Sequence, residues 1–155
     1  MIVAARPAVP DDIDELVRMY HMLEAEMVDL HRMWPRADGL PLPVRQSLIE
    51  AIADPGAHMV VGTIDAIPFG LLLAREEQTL DGETIGSIRL VFTEFDARGV
   101  GVGEAMRDLA LAALRQKGIV RFDAHVLPGH RLAKNFFEAG GFSARTIVMH
   151  HDDER

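Results

Sequence analysis

Residues Thr93 to Arg115, TEFDARGVGVGEAMRDLALAALR, constrain the fold more than any other stretch. A β-branched, apolar run ends just before them (Ile88, Leu90, Val91, Phe92), and a helical pattern occupies their second half. Between the two lies Arg98-Gly-Val-Gly-Val-Gly103. Glycine at every second position lets the backbone approach a ligand with no Cβ in the way, and permits φ/ψ that other residues avoid. The amides lead into a first helical turn, where N–H groups lack intrahelical partners and the dipole is positive. A strand, a glycine loop and a helix in that order make an anion site suited to a phosphate or pyrophosphate.

The flanking sequence supplies the scaffold. Ile2 to Arg6 is a short apolar run stopped by Pro7 and Pro10. Asp12-Ile-Asp-Glu15 has the spacing of an N-cap with an acidic third helical residue. Ile13, Leu16, Val17, Tyr20, Leu23, Met27 and Leu30 then recur at helical spacing, predicting a helix over 13–30. Pro35, Gly39, Pro41 and Pro43 mark a long loop before a helix over 44–53. His58 to Ile64 and Phe69 to Arg75 read as a hairpin around Asp65-Ala66, and Thr84 to Thr93 as the next strand. After the glycine helix, stopped at Lys117-Gly118, Val120 to Leu127 alternates as a strand. His130 to Ala139 is helical, and Phe142 to His150 reads as a last strand. The order is β-α-α-β-β-β-α-β-α-β, an α/β (α+β) domain with a mixed, mostly antiparallel central sheet flanked by helices. One domain over 1–155 is expected, with 151–155 as a frayed tail.

Totals narrow the chemistry. The 155 residues contain no cysteine, which excludes thiolate zinc sites and thiol nucleophiles. A formal net charge of −8 argues against nucleic-acid binding and is compatible with a cationic amine as substrate. No apolar run is long enough for a membrane span, and the N-terminus lacks the pattern of a secretion signal, so a cytoplasmic location is expected. His150-His151 is a poor chelating pair, because adjacent strand residues face opposite ways, and no metal is expected.

The chain resembles the GNAT superfamily of N-acetyltransferases, which move an acetyl group from acetyl-CoA to an amine. Arg98-Gly-Val-Gly-Val-Gly103 satisfies the family's Gln/Arg-x-x-Gly-x-Gly/Ala signature, and Ala133, Phe136, Phe137, Glu138, Gly141 and Phe142 fit a second block. The loop is neither the G-x-G-x-x-G of dinucleotide folds nor a P-loop. The resemblance implies that backbone N–H groups of Arg98, Gly99, Val100, Gly101, Val102, Gly103 and Glu104 hold the CoA pyrophosphate. Thr93 to Phe95 would pair with the pantetheine arm in a gap between neighbouring strands, widening near Pro128-Gly129. His130 stands where the family often has Asn against pantetheine. Phe137 replaces the tyrosine that many members use as general acid, and would pack on the thioester.

An amine attacks a thioester only as the neutral base, so a proton acceptor is required. His125 is the candidate, at a position where the ribosomal-protein N-terminal acetyltransferases carry glutamate; the other reading is a histidine satisfied by Asp123 or Arg89. Trp34 is either a wall for a cationic amine or a packed loop anchor. The implied function is direct acetyl transfer from acetyl-CoA to a primary amine of a small molecule or a protein. A homodimer is compatible with it. The alternatives are a CoA-binding sensor or partner subunit without catalysis and, more distantly, a nucleotide-binding protein using the same anion site.

Overall fold

The computed structural model describes residues 1–154. Asp65 and Ala66 take φ of 49° and 68°, the left-handed pair that a two-residue hairpin turn needs. They join β2 (Ala57–Ile64) to β3 (Ile67–Gln78), which continues antiparallel to β4 (Thr84–Thr93). β1 (Val3–Pro7) adds antiparallel to β2, and β5 (Phe122–Ala124) adds parallel to β4. The sheet order is β1-β2-β3-β4-β5.

Helices cover both faces. On one lie α1 (Ile13–Leu30), the short α2 (Trp34–Ala37) and α3 (Val44–Ala53); on the other, α4 (Val102–Gln116) and α5 (Arg131–Ala139). Leu16, Met19, Tyr20, Leu23 and Met27 of α1 pack with Leu48 and Ala51 of α3 on Met59, Val61, Leu71 and Leu73. Val102, Met106, Ala110 and Leu114 of α4 pack on Val60, Leu72 and Ala74. The mixed sheet between helical layers is the expected fold class.

One irregularity in β4 matters for everything after it. Leu73 faces Leu90 while Ala74 faces Ile88, so Arg89 is an extra residue, a β-bulge. In an unbroken strand Ile88 and Leu90 would share a face. Here Ile88 packs under α4 whereas Leu90 and Phe92 join the α1 core. The bulge also marks where β5 leaves. Pairing runs from Gly86–Phe122 to Ile88–Ala124, ends with His125 N–H on Ile88 O (3.0 Å), and leaves the last residues of β4 unpaired on that side.

Four expectations are corrected. The strands part just after Ile88, not at Pro128-Gly129, because the bulge twists β4 away; β5 is accordingly 122–124 rather than 120–127. No strand forms over 142–150. Within that segment Arg145 pairs with Asp123 (2.5 Å), and just beyond it Asp152 pairs with Arg32 (2.9 Å). Ile147, Val148 and Met149 are 71–88% exposed, so no burial locks a register against the short β5 edge. Asp12 does not cap α1 with its side chain; its carboxylate turns back to Arg6 (2.8 Å) and Val9 N–H (2.8 Å), closing a 3₁₀ turn over Pro10–Asp12. The Arg6 guanidinium holds that carboxyl below the usual aspartate range.

α4 sits unusually close to the sheet. A Cβ at Gly70 would meet Met106 Cε at 2.8 Å and the Phe92 carbonyl at 2.9 Å, the second of which cannot swing aside. Gly70→Ala is therefore expected to destabilise the fold by about 1–3 kcal/mol. In urea unfolding the midpoint should drop with the slope unchanged; an unchanged midpoint would show that α4 has room to spare.

Candidate functional site

The glycine loop folds as its sequence demands. Gly99 and Gly101 have φ of 83° and 99°, and a Cβ at either would meet nothing within 4 Å. Gly101 is the N-cap of α4, and Ala105 N–H is the first to bond back to it, at 3.0 Å. Among the described residues, no backbone N–H from Gly99 to Glu104 donates a hydrogen bond within the protein. Six donors therefore point from one loop at a helix N-terminus, an arrangement that attracts an anion.

These donors border a cavity of about 290 Å³. Thr93, Arg98, Gly99, Gly101, Val102, Gly103, Glu104 and His130 line it, as do residues to which the sequence reading gave no cofactor contact: Glu26, Val91, Phe92, Ala97, Leu132, Ala133 and Phe136. The free edge of β4 forms one wall and the start of α5 the other. Phe136 is held there by Arg107, which donates to its carbonyl (3.2 Å) and lies 4.7 Å from its ring centre.

Glu26 is an acidic member of the lining. It projects from α1, and its carboxylate binds Arg98 Nη2 at 2.7 Å and His130 Nε2 at 3.2 Å. Arg98 Nε donates to Thr93 O (2.9 Å) at the end of β4. These contacts hold the Arg98 side chain at the cavity wall. In sequence Glu26 is one of three acids, with Glu24 and Asp29, that read either as attracting an amine or as a solvated helix face; a pairing with Arg98 and His130 has no signal there.

Five predicted site residues lie elsewhere. Trp34 is 7% exposed and packs 6.2 Å from Tyr20 in the α1 core, outside the lining of this cavity; it opens α2, with Pro35 in the first turn. Phe137 is 3% exposed between Phe136 (5.0 Å) and Phe142 (5.3 Å). One residue along a helix turns the side chain by about 100°, and so it is Phe136 that meets the cavity. Phe95 is 79% exposed, because the chain leaves the strand at Glu94 for a 3₁₀ turn over Phe95–Ala97. The Val100 side chain also points away from the cavity wall.

His125 lies just beyond β5, where the two strands separate. Its Nε2 is 3.1 Å from Ser87 Oγ and 3.1 Å from Arg89 Nη1. Arg89 Nη2 is bound in turn by Glu77 at 2.8 Å. Burial of the ring, then the Arg89 cation, holds His125 below the usual histidine pKa, against opposing pulls from Glu77, Asp123 and Asp38. Asp123 itself is taken by Arg145.

The described residues contain no group of three or more His, Asp and Glu arranged to hold a metal, and no helix long and apolar enough to cross a membrane.

The architecture recurs among solved structures. A GCN5-related N-acetyltransferase from Ralstonia eutropha matches 97% of this chain and 99% of its own with a TM-score of 0.76, at 18% identity. A tetramutant of a Bacillus halodurans protein reaches 0.83 over 98% and 99% of the two chains, at 16% identity. AAC(6')-Iy, in complex with the bisubstrate analogue CoA-S-monomethyl-acetylneamine, reaches 0.75 over 99% of both, at 13% identity. No family model and no curated protein matches the chain, so the likeness is one of fold.

Removing the Glu26 charge should expose the anion site. Glu26→Gln is expected to bind inorganic pyrophosphate about three- to tenfold more tightly by calorimetry, the scale of one partly exposed ion pair. Equal or weaker binding would mean that Arg98 is not held in check by Glu26.

Proposed function

From the premise that the chain carries the GNAT fold, we propose that it is an acetyl-CoA-dependent N-acetyltransferase. It acts in the cytoplasm on a primary amine of a small molecule or protein. The observation that carries this reading is the parting of β4 from β5 beside six unpaired N–H groups. The loop from Arg98 to Glu104 fits a diphosphate, and the free β4 edge down to Thr93 fits an extended amide-bearing arm. β-strand addition of that kind needs only main-chain donors and acceptors.

Acetyl-CoA supplies a thioester carbonyl that an amine can attack. The residues of this chain do the rest. The loop amides and Arg98 neutralise phosphate charge, and the apolar wall of Val91, Phe92 and Phe136 excludes water around the arm. Most of the cavity lining comes from the end of β4, the glycine loop, α4 and α5, with Glu26 added from α1. Strand alternation puts Asp123 and His125 on the face of β5 opposite Phe122 and Ala124, which belong to the α4 core. Donor and acceptor would therefore meet from opposite faces of the sheet. The amine nitrogen forms the N–C bond, the C–S bond breaks, and the sulfur leaves with the electron pair. The ammonium proton passes to His125, directly or through water. Phe137 offers the sulfur no proton, but a thiol, with a pKa near 8.5, departs acceptably without one.

A second reading draws on the same residue. With a phenyl ring in place of a hydroxyl, and that ring buried, the site could bind acetyl-CoA without turning it over. Calorimetry with acetyl-CoA tests binding, and release of free thiol with an amine panel tests turnover. Micromolar binding with amine-dependent thiol release is expected; binding without release would select the second reading, and no heat would sink both. His125→Gln should lower kcat by about 10²–10⁴-fold with acetyl-CoA binding unchanged.

A further inference from the structure

Arg89 is the extra residue of the β4 bulge, and a bulge re-aims a side chain. Its guanidinium reaches the rim of the gap and meets the His125 ring, with Nη1 at 3.1 Å from Nε2 and 3.4 Å from Nδ1. A guanidinium has only donors. With one Nη1 within 3.4 Å of both ring nitrogens, the guanidinium lies against the imidazole ring rather than along either in-plane lone pair, and it sets a positive charge beside the ring. A doubly protonated ring would set cation against cation, while either ring nitrogen keeps its in-plane direction for other partners.

Arg89 is not free to turn away. Glu77 on β3 grips Nη2 at 2.8 Å, and the bulge fixes where the side chain starts. The ring is held from its other neighbour as well, since Ser87 is fully buried and its hydroxyl stands 3.1 Å from Nε2. The charged groups facing this ring come from every element around it. They are Arg89 on β4, Glu77 on β3, Asp123 on β5 and Asp38 after α2, with Arg145 countering Asp123.

Resting on the acetyltransferase reading, we propose that Arg89, braced by Glu77, is the positioning residue that keeps His125 an acceptor and aims it at the incoming amine. The anchoring carboxylate shares the Arg89 charge without touching the imidazole, so the arginine stays beside the ring while a ring nitrogen accepts the amine hydrogen. The bulge thereby does two things at once: it opens the gap for the acyl donor, and it delivers the cation that keeps the base unprotonated at neutral pH.

The test is a histidine-labelled NMR titration of the full chain, with His125→Gln assigning the signal. In the wild type the His125 midpoint should fall below the ordinary value of about 6.5, and Arg89→Met should raise it by about half a unit to one unit. Arg89→Lys keeps the charge and should retain much of the depression; unmoved signals from the other histidines verify folding of both variants. An unchanged His125 midpoint in Arg89→Met overturns the proposal. On the kinetic side, the acid limb of kcat/KM should move upward with the midpoint in Arg89→Met and return in Arg89→Lys. A limb that stays fixed while the midpoint moves overturns the positioning role. A midpoint that moves while no amine is acetylated leaves the Arg89–His125 coupling standing and sinks the acetyltransferase reading instead.

Discussion

The structure depends on one extra residue. Inserting Arg89 into β4 shifts the strand's alternation by one, so that Ile88 faces α4 while Leu90 and Phe92 face α1. Both cores are thereby filled by the same strand. The same insertion ends the β4–β5 ladder, and it ends it without stranding apolar residues in water. A parallel pair that simply stopped would expose a row of unpaired backbone groups. Here that free edge becomes the wall of a cavity.

Around the gap, charges are arranged twice in the same way. At the mouth, Glu26 from α1 binds Arg98 and His130; at the inner end, Glu77 from β3 binds Arg89, which meets His125. The two trios differ in where the carboxylate sits. At the mouth it touches both the arginine and the histidine. At the inner end it touches only the arginine, leaving the histidine facing a positive charge. One arrangement guards an anion site, and the other suits an imidazole that must accept a proton. A net charge of −8 sets the background in which an acceptor amine would approach.

Much of the scaffold was legible in order. The helices over 13–30 and 44–53 follow their apolar spacing, and Asp65-Ala66 and Gly118 turn where the sequence marks them. The loop from Arg98 to Gly103 was legible because glycine is required at φ of 83° and 99°. Its partners across the cavity were not. Glu26 lies 72 residues from Arg98 in sequence and looks like any acid on a solvated helix. Phe136 and Phe137 are equivalent as letters, and only the rotation of α5 against α4 selects which ring lines the wall. The missing last strand has a similar cause. Ile147 to Met149 have strand propensity, yet a three-residue β5 provides too short an edge to pair with.

Local chemistry in the sequence therefore determined the elements and the anion loop, because glycine conformations, turn residues and apolar periodicity act over a few neighbours. The tertiary structure alone decided where the strands part, which aromatic faces the cavity and which charge faces His125. Those depend on register across the sheet, and a one-residue bulge changes register without leaving a pattern in the sequence.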